Sequence, residues 1–108
     1  MSIPTIEQSG VPDPVPVAVL DVREDDEWAA GHIEGAVHIP LMDVPARMGD
    51  LPEGQILVVC KAGGRSAQAV AYLRHQGYEV VNLAGGMLEW AAAGRPMVSE
   101  TGEQPYVQ

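Results

Sequence analysis

Phenylalanine is missing from this chain altogether, and cysteine occurs once, at position 60. A single thiol closes no internal disulfide, so no cross-linked framework is available. It builds no thiolate zinc site either, and His32, His38 and His75 lack the close spacing of metal ligands. Basic residues are also scarce: six Lys or Arg stand against fifteen Asp or Glu, a formal net charge of −9. That balance argues against nucleic acid or an anionic membrane as a partner. No apolar run approaches the roughly 20 residues of a membrane span. The start, MSIPTIEQSGVPDP, has no basic region followed by an apolar stretch and does not read as a secretory signal. A cytoplasmic location is the expectation that follows.

What is present is the composition of a globular protein, 46% hydrophobic and 19% charged. At 108 residues the expectation is one domain over 1–108, with an irregular lead-in at 1–16 and a loose polar tail at 97–108. A short strand is possible at 3–6, before the Pro- and Gly-rich EQSGVPDPVP. Apolar, β-branched runs predict strands at 17–22, 36–40, 55–60 and 78–83. A short helix fits 24–31, with acidic residues in its first turn and Gly31 as its stop. One or two helical turns fit 42–52, with Pro45 tolerable only near their start. From Ser66 the period changes: Ala67, Val70, Ala71 and Arg74 recur at three and four, and Gly77 closes a helix. A last helix at 85–96 is stopped by Gly94 and Pro96. Strands alternating with helices imply an α/β fold, a central, mainly parallel five-stranded sheet with helices on both faces.

In such sheets ligands bind beyond the carboxyl ends of strands, where Cys60 stands. The stretch ILVVCKAGGRSAQAVAYL runs from strand through glycine turn to helix. The first N–H groups of a helix lack partners within it, and the dipole adds partial positive charge there. Gly63 and Gly64 permit positive φ and leave no side chain between the backbone and a bound group. A thiol at the edge of that ring is pushed toward thiolate by the N–H groups and by Arg65. Although the chain is acidic overall, Lys61 and Arg65 make this corner locally positive. The loop thus offers a nucleophile and an anion site on the same few atoms.

The loop CKAGGRS resembles the active-site loop of the rhodanese (thiosulfate sulfurtransferase) family, in which Cys and Arg are separated by four residues. VLDVRED at 19–25, GHIEGAVHIP at 31–40, ILVVC at 56–60 and VVNLAGGMLEW at 80–90 stand in the order of a single-domain member. The resemblance implies a rhodanese-like fold and a sulfurtransferase without metal or organic cofactor. Cys60 would take the outer sulfur of a small anionic donor such as thiosulfate and pass it to cyanide, a thiol or a protein acceptor. The amides of Lys61, Ala62, Gly63, Gly64, Arg65 and Ser66 would cradle the persulfide, while Lys61 and Arg65 hold the donor.

Each residue also has a plainer reading. Cys60 could be an inert core thiol, Lys61 merely solvated, and Arg65 paired with an acidic residue that shapes the loop. Ser66 is most simply a helix-start residue, its hydroxyl a second choice as a neighbour of the sulfur. Asp21 and Arg23, at the same sheet edge, would support the loop or form a fold-holding pair. Trp28 and Trp90 read as packing, Glu27 lies beside Trp28 on the helix, and His32 and His38 carry no catalytic expectation. Rival functions are a sulfur carrier or regulatory binding module working with a partner protein, and an oxyanion phosphatase or arsenate reductase. The related dual-specificity phosphatases place five residues between Cys and Arg, and this loop has four.

Overall fold

The computed structural model describes residues 3–108; Met1 and Ser2, the start of the lead-in segment, lie outside the described residues. The apolar run at the centre of the chain forms β4 (Ile56–Val59), buried at every position. Ile56 and Val58 join one core cluster while Leu57 and Val59 join another. A strand covered on both faces needs no polar alternation, which is why the sequence reads as a continuous apolar run.

Beside β4 lie β2 (Ala18–Asp21) and β5 (Val80–Ala84), with β1 (Thr5–Glu7) outside β5 and β3 (Val37–His38) outside β2. The order is β1-β5-β4-β2-β3, and every pairing is parallel. The register sets Leu20 and Asn82 on either side of Val58. Three helices complete the fold: α1 (Asp25–Ala30), α2 (Gly64–His75) and α3 (Gly86–Ala92). On one face α2 buries Ala69, Val70 and Leu73 with Leu20, Ile39 and Val44. On the other, α3 buries Met87 and Trp90 with Val19 and Leu83. Each such aliphatic side chain contributes about 1.5–3 kcal/mol on burial, so the two clusters fix the sheet between its helices.

Several boundaries differ from expectation. The turns at 42–52 are two 3₁₀ segments, Leu41–Asp43 and Pro45–Asp50, with Pro45 at the start of the second. Helix α2 begins at Gly64, two residues before Ser66, because the loop glycines themselves form its cap and first turn. The larger correction concerns the tail, which is docked rather than loose. His32 and Val98 exchange backbone hydrogen bonds of 2.8 Å, Glu100 N–H donates to Ala29 O at 2.9 Å, and Tyr106 N–H to Ala30 O at 3.1 Å. The last carbonyls of a helix lack partners within it, and the tail supplies them for α1. Gly31 serves this contact more than it stops the helix. Its φ of 176° is open to any residue, but a Cβ there would stand 2.5 Å from Tyr106 O.

Beyond the pairing of β1 with β5, one cation ties the lead-in down. The Arg95 guanidinium lies 4.0 Å over the Trp90 ring and donates to the carbonyls of Gln8, Val11 and Pro12.

Candidate functional site

Cys60 follows the last residue of β4 at the carboxyl edge of the sheet. The chain turns at Gly63, whose φ of +111° is the left-handed conformation glycine accepts, and enters α2 at the next residue. Gly63 N–H then points at Cys60 Sγ from 3.1 Å, and the Ser66 hydroxyl stands 3.3 Å from the same sulfur. Burial is the largest single influence on the thiol and pushes its pKa up. Hydrogen bonds from the Ser66 side chain and backbone, and from the amides of Gly63 and Ala62, outweigh it. The net result lies below the ordinary thiol value. Cys60 is only 1% exposed, yet its surroundings are not those of an inert core thiol.

Among the described residues the guanidinium of Arg65 makes its hydrogen bonds to a carboxylate and none to the sulfur. It donates to both oxygens of Glu27, at 2.6 and 2.8 Å, so of the two readings of Arg65 the acidic partner is the one formed. The same carboxylate accepts the Glu24 backbone N–H at 2.9 Å. Arg65 hydrogen bonding, against burial, holds Glu27 down at about 2, and Glu27 in turn raises Arg65. The clamp ties α1 to the loop. Lys61, half-buried, makes no ion pair among the described residues, which leaves it the free cation of the loop.

Asp21 and Arg23 form a fully buried pair. Nη2 of Arg23 lies 2.7 Å from Asp21 Oδ2 and 2.7 Å from Gly31 O. Neither hydrogen-bonds to residues 60–66 among the described residues, so their contacts are those of a fold-holding pair that joins β2 to the end of α1. Trp28 is stacked between His32, at 3.5 Å, and His38, at 4.7 Å. His38 Nε2 lies 2.8 Å from Arg23 O. These contacts are packing.

Two contributors escaped the sequence reading. The amides of Met87 and Leu88 donate to the carbonyls of Cys60 and Lys61, at 2.9 and 3.0 Å, so the start of α3 grips the loop from behind. That approach requires Gly86: its φ is +55°, and a Cβ would lie 2.4 Å from Cys60 O. Asn82 is the second. It is 6% exposed in β5, with Oδ1 at the Ser66 hydroxyl and Nδ2 3.4 Å from Gly63 O. Its signal was available, one amide inside the apolar strand VVNLA. Among the described residues no cluster of His, Cys, Asp and Glu could hold a metal ion, and no helix is long and apolar enough to cross a membrane.

The model of the rhodanese-like domain matches residues 7–93. A sulfurtransferase of Allochromatium vinosum is 41% identical over 88 residues, covering 80% of this chain and 82% of that protein. Thiosulfate sulfurtransferase 16, chloroplastic, of Arabidopsis thaliana is 36% identical over 83% of this chain and 96% of its own length. The crystal structure of a rhodanese-related protein from Thermoplasma volcanium superposes with a TM-score of 0.83. It is 31% identical, covering 88% of this chain and 97% of that one.

Proposed function

This chain belongs to the rhodanese-like domain family, and from that membership and its loop geometry we propose that it is a sulfurtransferase working through a persulfide on Cys60. The observation that carries the reading is the set of donors on Sγ, with Gly63 N–H at 3.1 Å and Ser66 Oγ at 3.3 Å. The Cys60 thiolate attacks the outer sulfur of a donor such as thiosulfate. A sulfur–sulfur bond forms on Cys60 as the donor's own sulfur–sulfur bond breaks, and sulfite leaves with that bonding pair. The persulfide is an anion one sulfur longer, and the amides of Ala62, Gly63 and Ser66 that reach Cys60 Sγ would meet its charge. Attack by cyanide or a thiolate on the outer sulfur then returns the thiolate, so kinetics should be ping-pong. A persulfide handed to an acceptor protein uses the same first step.

Roles divide by what each side chain is free to do. Lys61, without an ion-pair partner, meets the charge of the donor and of departing sulfite. Arg65, committed to Glu27, keeps the ring in shape. That commitment also weighs against an oxyanion phosphatase, since such chemistry would need the guanidinium on the oxyanion, and the four-residue ring suits one sulfur atom.

The test is intact mass after incubation with thiosulfate, for the wild type and Cys60→Ser. The expected result is a gain of one sulfur on the wild type alone, removed by cyanide or dithiothreitol. No gain with thiosulfate would remove it as the donor and point to sulfur delivery by a partner.

A further inference from the structure

The Ser66 hydroxyl has one proton and three acceptors in reach. They are Asn82 Oδ1 at 2.5 Å, Gly63 O at 3.2 Å and Cys60 Sγ at 3.3 Å. Ser66, Asn82 and Cys60 sit at the buried floor of the loop, at 0%, 6% and 1% exposure, so water does not offer a substitute there. With the Asn82 oxygen facing Ser66, that nearest acceptor competes with the sulfur for the one proton and weakens the bond to Sγ. The amide nitrogen meanwhile makes only a 3.4 Å contact with Gly63 O, an acceptor already served by Ala67 N–H at 3.1 Å.

The two ends of an amide have nearly the same shape, so half a turn about its last bond exchanges them without moving the backbone. Nδ2 then donates to the Ser66 oxygen. The hydroxyl proton is left with Gly63 O or the sulfur, and a hydrogen bond to an ion is the stronger when the sulfur is charged. The turn gives up the long contact to Gly63 O and leaves two oxygens at that distance. It gains a chain of two bonds, Asn82 to Ser66 to sulfur, in which each bond strengthens the next.

We propose that Asn82 is a positioning residue whose amide turns over with the charge on Cys60, delivering the Ser66 proton to the anionic sulfur and withdrawing it from the neutral one. The device serves thiolate and persulfide alike, because both place a negative sulfur in reach of that hydroxyl. The proposal rests on Cys60 being the reactive group. Its test needs no sulfur donor, however, so failure of the sulfur-transfer reading and failure of this one are separable.

The experiment is the pH dependence of Cys60 alkylation by iodoacetamide, read by intact mass. It compares wild type, Asn82→Leu, Ser66→Ala and the double variant. Asn82→Leu keeps the side chain's size and removes both amide ends. It should raise the midpoint by about half to one pH unit, a three- to tenfold slower reaction below the midpoint, and leave the high-pH plateau unchanged. Ser66→Ala should shift it at least as far, and in that background Asn82→Leu should add nothing. Faster alkylation in Asn82→Leu would mean the amide holds the proton off the sulfur, which overturns the proposal. So would an unchanged midpoint, or a shift that persists without Ser66. Should Asn82→Leu fail to fold, Asn82→Asp keeps the shape, removes the amide donor and adds a carboxylate charge that itself raises the midpoint. Its upward shift must then shrink when Ser66→Ala is added, and an undiminished shift overturns the proposal as well.

Discussion

Glu27 carries two loads, the guanidinium of Arg65 and the backbone N–H of Glu24 just before its own helix, and its acidity records both. Its folded pKa of about 2 lies below the ordinary 4.5. The stabilisation is therefore complete above pH 4.5 and is lost as pH falls toward 2. Glu27→Gln should lower stability at pH 7 by on the order of 1–2 kcal/mol. In urea titrations the gap between variant and wild type should narrow at pH 3; a constant gap would show that the charge is not what matters. Lys61 is the opposite case, a cation with nothing to hold. Lys61→Ala should raise the KM for thiosulfate roughly three- to tenfold with kcat little changed, the pattern of lost uniform binding. Steady-state rates over a range of thiosulfate concentrations check it, and an equal loss in kcat would place Lys61 in the transition state instead.

At the scale of elements, the loop is a clasp between two helix starts. The start of α2, from its cap Gly63 to Ser66, supplies amides to the sulfur, and α3 holds the carbonyls of Cys60 and Lys61. Glycine is required at Gly63, whose φ is +111°, and at Gly86, but not throughout. Gly86→Ala meets Cys60 O at 2.4 Å with φ at +55° and should cost at least about 2 kcal/mol. Gly64→Ala has open space and no positive φ and should gain about 0.5 kcal/mol by helix preference. Thermal midpoints of the two variants measure the contrast, and equal shifts would refute it. The sequence displayed much of this level. The strands at 17–22, 55–60 and 78–83, the helix after the loop and Cys60 at its mouth were readable because apolar period and glycine placement are local. The partner of Arg65 was not, since Glu27 is one of fifteen acidic residues and lies 38 positions away. Asn82 beneath Ser66 and the tail beneath α1 were hidden for the same reason: folding alone makes them neighbours. Composition also misled at the tail, where polar side chains concealed a backbone that fills the open carbonyls of α1.

The molecule as a whole opposes its own loop. Six cations, three of them tied in ion pairs at Arg23, Arg47 and Arg65, sit in a field of net charge −9. A dianionic donor is repelled at long range and attracted only near Lys61. Raising ionic strength should therefore increase kcat/KM for thiosulfate, by about twofold or more between 20 and 200 mM salt. Initial rates at low thiosulfate test this, and a fall would mean local attraction governs the encounter. The tie between Arg95 and Gln8, 87 positions apart, has a consequence in time. Among the described residues strand β1 pairs only with β5, and the grip of α3 on the loop comes later still in the chain. Contacts across so long a separation form late, and a ribosome releases Cys60 well before residues 80–95. The nascent chain thus carries an ungripped thiol until Met87 and Leu88 have followed it, and the loop takes its working shape among the last events of folding.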